Sequence, residues 1–177
     1  MRIVTERLIL RSISDKDIES LIENINNLNV SKYLLVVPYP YTIKDAKWWI
    51  NHCKEKGREY NFCIELKSEK KLVGGIGLSH FDKFQRTAEV GYWLGEKYWR
   101  NGYVSEALKT LIDFAFNKLK LRRLEAGVFS KNPGSGKLLE KFGFVKEGLR
   151  KECRRSKSNG EIHDEVMYGL LKKNYNK

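Results

Sequence analysis

The stretch from Ala88 to Phe129 changes hydrophobic period twice, and that constrains the fold more than any other feature of the chain. Ala88 to Leu94 (AEVGYWL) reads as a strand. After the loop GEKYWRNGY, the residues Val104, Leu108, Leu111, Ile112, Ala115, Phe116 and Leu119 share one helical face. Leu124 to Phe129 (LEAGVF) is β-prone again. Strand, glycine-containing turn, helix and strand make a βαβ unit, which lays two parallel strands side by side.

Upstream, the pattern predicts an antiparallel meander. Arg7 to Ser12 is a first strand, and Ser14 or Asp15 caps a helix running to about Leu28. The segment VVPYPYT is a loop. A second helix starts near Thr42, where Asp45 three residues on makes a weak capping box, and presents Ala46, Trp49, Ile50 and Cys53 on one face. Asn61 to Leu66, the polar turn KSEKK and Leu72 to Phe81 form a hairpin. Gly74, Gly75 and Gly77 in its second strand signal a bulge or a close backbone approach. Downstream, Asn132 opens a short helix with Leu138, Leu139 and Phe142 inward and Gly143 at its C-terminal cap. Phe144 to Glu152 is a strand, Asn159-Gly160 a hairpin turn, and Ile162 to Leu171 the closing strand. The expected architecture is α+β: a mixed, mostly antiparallel sheet of six or seven strands with helices on both faces.

The chain has 177 residues, 41% of them hydrophobic and 12% aromatic, which excludes a disordered chain and predicts a single domain, residues 1–177. Its formal net charge of +12 makes anionic partners an expectation: nucleic acid, the ribosome, a membrane surface or a phosphorylated ligand. Lys-rich solubility is the competing account. Cys53, Cys63 and Cys153 fit neither a zinc site nor a disulfide framework, so no metal is expected. Glu6 and Arg7 interrupt the N-terminal MRIVTERLIL, unlike a signal peptide, and no uncharged run is long enough to span a bilayer. A reduced, soluble, cytoplasmic protein without membrane contact is expected, as monomer or homodimer.

The loop Trp99-Arg100-Asn101-Gly102-Tyr103-Val104 enters a helix at Ser105. A glycine just before a helix lets backbone amides converge on an anion, and the helix dipole adds to the attraction. Arg100 puts a cation beside it. The loop lacks the Lys-Ser/Thr pair of the NTPase loop and the three-glycine dinucleotide fingerprint. It reads as a pyrophosphate cradle or as a plain strand-to-helix turn.

These segments together resemble the GNAT superfamily of N-acyltransferases, and within it the ribosomal-protein N-acetyltransferase branch (RimJ/RimL type). The resemblance runs through TERLILRSISDKD, LVGGIGL, AEVGYWLGEKYWRNGYVSEAL, NPGSGKLLEKFGF and HDEVMYGLL. It implies acetyl-CoA bound in a cleft between two splayed parallel strands. Backbone groups of the Glu89 to Leu94 strand, Trp93 and Leu94 among them, would meet the pantetheine amides. Arg100, Asn101, Gly102, Tyr103, Val104 and Ser105 would take the pyrophosphate. Trp99 and Val104 depart from the general superfamily pattern, Val104 being bulkier than the usual small residue.

Acyl transfer must deprotonate an ammonium, stabilise an oxyanion and release a thiolate. A protein α-amine, with a pKa of about 7.7–8.0, demands less of a base than lysine at about 10.4. By the resemblance, Ser135 is the acid for the thiolate and Asn132 contacts the pantetheine arm; read without it, Asn132 caps a helix and Ser135 sits in its first turn. Glu89 is the candidate base, with a surface ion pair as its plainer account. Some relatives place a glutamate where Arg154 stands here, leaving Glu152 as a neighbour. His80 and His163 are further candidates, His163 with Asp164 reading as strand pairing. Tyr92, Trp93, Tyr98 and Trp99 suit an acceptor pocket or the core. Lys131, Lys137 and Lys141 suit the nucleotide 3′-phosphate or a solvated face. The expected activity is acetyl transfer to a protein N-terminus. The alternatives are a small amine (polyamine or aminoglycoside) and a non-catalytic ribosome- or RNA-binding module.

Overall fold

The computed structural model describes residues 1–55 and 60–175. It contains β1 (Arg2–Val4), β2 (Leu8–Arg11), α1 (Ile18–Ile25), α2 (Leu28–Ser31), α3 (Ile43–Cys53), β3 (Asn61–Leu66) and β4 (Lys71–Asp82). These are followed by β5 (Thr87–Leu94), α4 (Tyr103–Asn117), β6 (Arg123–Phe129), α5 (Pro133–Lys141), β7 (Val145–Arg155), β8 (Ile162–Leu171) and α6 (Lys172–Tyr175). One sheet of eight strands runs in the order β1-β2-β3-β4-β5-β6-β8-β7. Every adjacent pair is antiparallel except β5 and β6, which run parallel as the change of period required.

The sheet has one strand more than the six or seven expected. The extra one is β1, which folds back on β2 through a turn closed by the Thr5 amide donating to the Leu8 carbonyl at 3.0 Å. Glu6 and Arg7 occupy that turn, so the charged pair that breaks the N-terminal pattern marks a hairpin. The first helix is also shorter than predicted. It ends at Ile25 because the next two side chains bond outside it: Asn26 Oδ1 accepts from the Tyr41 amide and Asn27 Oδ1 accepts from Asn29, capping α2.

Helices cover both faces. Leu108, Leu111, Ile112 and Ala115 of α4 are fully buried against β2 to β6, and Leu139 of α5 joins the same cluster. On the opposite face Leu21 and Ile25 of α1 and Ala46 and Ile50 of α3 pack with Ile13, Tyr41, Cys63 and Leu72. The β4 glycines mark close approach: a Cβ on Gly74 would stand 2.4 Å from the Trp93 carbonyl oxygen, and one on Gly75 2.5 Å from the Trp93 indole nitrogen. A bulge adjoins them as well: Ile64 pairs with Gly74 and Glu65 with Leu72, which leaves Val73 of β4 as the extra residue, and a second irregularity in β4 lies between Ser79 and Asp82. No disulfide joins the cysteines among the described residues; Cys63 is a core thiol whose pKa burial pushes up to about 12. No helix among the described residues is long and apolar enough to cross a membrane.

Candidate functional site

β5 and β6 pair over only three steps, Thr87 with Arg123, Ala88 with Leu124 and Glu89 with Glu125. Beyond them β5 stays on β4 through Leu94, while β6 stays on β8 through Phe129. The strands therefore part after Glu89, leaving a V-shaped fork. Each arm of the fork turns strand-edge amides and carbonyls toward the gap, ready for an extended ligand with amides of its own.

The helix behind one arm has an N-terminus without a side-chain cap. Gly102 precedes α4 with φ +78°. The first-turn amides of Tyr103, Val104 and Ser105 thus lack a cap, and the positive end of the dipole stands with them. Arg100 is exposed, also with positive φ (+63°). The loop is held from below: Arg7 donates to the Asn101 carbonyl at 2.9 Å and to Glu106 at 2.7 Å, and its guanidinium lies 4.7 Å from the Tyr103 ring centre. Burial alone would raise the Glu106 carboxyl, but hydrogen bonds from Thr5 and Arg7 hold it below the usual carboxylate range. Lys141 of α5 lies 3.5 Å from Ser105 Oγ, which brings that lysine to the α4 entrance; Lys131 pairs instead with Glu161, and Lys137 lines a groove between α5 and β8.

On β5, Val90, Tyr92 and Leu94 turn toward α4 and α5, while Glu89, Gly91 and Trp93 turn to the α1–α3 face. Trp93 packs against the α1–α3 cluster, so its side chain is not aimed at the fork. The Leu94 carbonyl is already engaged, accepting from the Trp99 indole at 2.8 Å. Tyr98 is core, its hydroxyl donating to Glu69 at 2.7 Å.

Asn132 does cap α5, accepting from the Ser135 amide at 3.3 Å. The Ser135 hydroxyl is nonetheless engaged across the fork: Tyr92 Oη lies 2.8 Å from it. The sequence placed Tyr92 among pocket or core aromatics and missed this partnership. The signal that points to it is the alternation of β5, which puts Tyr92 on the same face as the buried Val90 and Leu94.

Glu89 stands at the last β5–β6 pair, where the fork opens, and its carboxylate lies 3.2 Å from His80 Nδ1. Two of the base candidates, Glu89 and His80, are thus one pair. Arg154 faces a buried carboxylate: its Nε donates to Glu165 at 3.0 Å, and Arg150 lies 3.6 Å from the other oxygen. Gly127 makes room for Glu165, whose Oε1 would stand 2.5 Å from a Cβ there. Glu165 was absent from the sequence reading. His163 is buried and stacked on Phe129 at 4.3 Å, a packing position, with no hydrogen-bond partner for its ring nitrogens among the described residues. No cluster of three or more metal-ligating side chains occurs among the described residues.

The model of the acetyltransferase (GNAT) domain matches residues 7–145. A Bacillus licheniformis protein named uncharacterized N-acetyltransferase p20 is 35% identical over 173 residues, 97% of this chain and 96% of its own. The ribosomal-protein-serine acetyltransferase of Escherichia coli is 33% identical over 96 residues, 54% of each chain. The crystal structure of a Vibrio cholerae spermidine N-acetyltransferase in complex with CoA and spermine superposes with a TM-score of 0.82 at 24% identity, covering 98% of this chain and 100% of that one.

Proposed function

The chain belongs to the GNAT acetyltransferase family, and from that premise we propose that it moves the acetyl group of acetyl-CoA to the α-amino group of a protein N-terminus. Acetyl-CoA is the co-substrate, and the residues present suit it. The uncapped α4 amides and Arg100 match a pyrophosphate, and the open arms of the fork match the amide-bearing pantetheine. Asn132 stands at the start of α5 with its oxygen on the Ser135 amide, so its amide nitrogen is the group left for the pantetheine arm.

In this reading Ser135 is the acid for the departing thiolate and Glu89, with His80, the base. Glu89 sits where the fork opens, and an α-amine with a pKa of about 7.7–8.0 asks little of it. The amine nitrogen attacks the thioester carbonyl, the C–S bond breaks with its electrons on sulfur, and the proton shed by nitrogen is balanced by the one sulfur gains.

The observation that carries the N-terminal acceptor is the charge on the Glu89 face. A polyamine is a polycation and needs uncompensated carboxylates. The buried carboxylate on that face, Glu165, is already held by Arg154 and Arg150. The register of β7 puts both of these guanidinium-bearing residues on this face, Arg150 opposite Glu165 and Arg154 opposite His163. The E. coli relative is named for a ribosomal-protein serine, which fits; the V. cholerae neighbour solved with spermine keeps small-amine transfer as the second reading.

The test is an acceptor screen read by release of CoA thiol. N-terminal peptides, serine- and alanine-terminated among them, should give the highest kcat/KM, with the rate rising through a pKa of about 8. Faster turnover of spermidine or an aminoglycoside would overturn the N-terminal assignment. RNA binding with a steep salt slope and no thiol release from any acceptor would return the chain to the binding-module reading.

A further inference from the structure

Tyr92 is the β5 side chain that crosses the fork. It lies three residues beyond the last β5–β6 pair, on the α5 side of the sheet, and ends at Ser135. Its hydroxyl meets that residue twice: Oη is 3.2 Å from the Ser135 carbonyl oxygen and 2.8 Å from Ser135 Oγ.

Tyr92 has one phenolic proton for these two contacts. Directed at the Ser135 carbonyl, it leaves the 2.8 Å contact to be donated by Ser135; directed at Ser135 Oγ, it leaves the serine proton for the fork. A turn of both hydroxyl rotors interchanges the two arrangements.

We propose that Tyr92 is the positioning residue for Ser135, fixing its hydroxyl at the fork and backing its proton as negative charge grows on the thioester sulfur. This rests on the reading of Ser135 as the acid. As the C–S bond breaks, sulfur takes up the Ser135 hydrogen bond and Ser135 takes up that of Tyr92, so that the two hydroxyls act as one donor of greater strength. Where the proton passes fully to sulfur, Ser135 is restored from Tyr92 and Tyr92 from solvent. The proton shed by the amine nitrogen replaces the one taken, and both side chains end as they began.

The surroundings support a protonated phenol. Burial, opposed by the Ser135 hydrogen bond, pushes the Tyr92 pKa up to about 12, so the second proton is present throughout the range in which an amine is acetylated. A second phenol lies behind it: Tyr168 Oη donates to Glu140 at 3.3 Å, and it would stand 2.6 Å from a Cβ on Gly136, the residue after Ser135. The missing side chain at Gly136 gives that hydroxyl its place beside α5.

The test compares Tyr92→Phe, Ser135→Ala and the double variant, with acetyl-CoA and the fastest acceptor of the screen above. Tyr92→Phe keeps the ring, so its thermal midpoint should match the wild type. Its kcat should fall about tenfold, the worth of one hydrogen bond made in the transition state, with KM for acetyl-CoA within about twofold. Ser135→Ala should fall about 10²-fold, and the double variant should be no slower than Ser135→Ala. A wild-type kcat for Tyr92→Phe beside a slow Ser135→Ala overturns the proposal and leaves Ser135 as the acid. A wild-type kcat for Ser135→Ala removes Ser135 from the mechanism, and the role of Tyr92 with it. Losses that multiply in the double variant would show Tyr92 acting apart from Ser135, which also overturns the proposal.

Discussion

The start of α4 and the starts of the other long helices solve the same problem in opposite ways. The turn into α1 is closed by Ser14 and Asp17, with the Asp17 carboxylate gripped by Arg11 at 2.8 and 2.7 Å. The start of α3 is closed by the reciprocal bonds of Thr42 and Asp45. At α4 a left-handed glycine takes the cap position and no side chain serves it. A helix start left without a cap costs stability unless something else meets its amides. The contrast separates helix starts that hold the fold from the one that is free to hold a ligand.

The largest effect that sharpens this contrast is expected at Asp17, which is buried with Arg11. Asp17→Ala leaves the Arg11 guanidinium to Glu65 alone, 2.6 Å away, and the Ser14 amide without its acceptor, and should destabilise the fold by about 1–3 kcal/mol. Burial would raise the Asp17 carboxyl, but the bonds from Arg11 and Ser14 outweigh it and hold the pKa below the ordinary value. Its contribution is therefore full above the unfolded pKa of about 3.9 and is lost as pH falls through the lower folded value. Thermal midpoints of wild type and Asp17→Ala should differ widely at pH 7 and converge in strong acid. A gap that persists there would mean the charge is not its source.

Gly102→Asp puts a carboxylate at the α4 start. The left-handed backbone is strained for any side chain, and a Cβ would stand 3.3 Å from an Arg7 guanidinium nitrogen, so stability should fall by about 1–2 kcal/mol. The carboxylate would stand where the pyrophosphate belongs, and CoA affinity by calorimetry should fall about 10²-fold or more. Unchanged affinity would show that the α4 amides are not the anion site. Thr42→Ala is the small counterpart. It should cost about 1 kcal/mol in denaturant unfolding and leave CoA affinity untouched, because that cap serves only its own helix.

What the sequence disclosed follows the range of the interaction. The α4 stripe is periodic, and the Thr42–Asp45 pair is three residues apart, so both were legible. The parallel pair followed from the βαβ reading, since a helix between two strands demands it, whereas the splay that makes a fork of it was implied only by the family resemblance. β1 was missed because three residues carry too little alternation to register. The Tyr92–Ser135 bond joins residues 43 apart, and no local pattern encodes it. Arg154 and Glu165 meet across a register shift between Arg150 and Arg154 in the β7–β8 pairing, so a regular count of alternating faces would not bring them together. Arg154 was noticed as the position lacking a glutamate, while the carboxylate it holds lay on the neighbouring strand.

The fork also divides the sheet mechanically. β1 to β5 form one leaf, and β6, β8 and β7 the other; the sheet joins them through the three steps from Thr87 to Glu89, extended below by the Arg122 amide on the Arg86 carbonyl. In the proposed mode of binding, an extended ligand between the arms would serve as the missing rungs of this ladder, and the co-substrate would be a structural part of the sheet as well as a reactant. At a concentration about 100 times its dissociation constant it would add roughly 2.7 kcal/mol to the folded state, drawn from the seam where the two leaves part. The thermal midpoint of the protein should then climb with the concentration of acetyl-CoA.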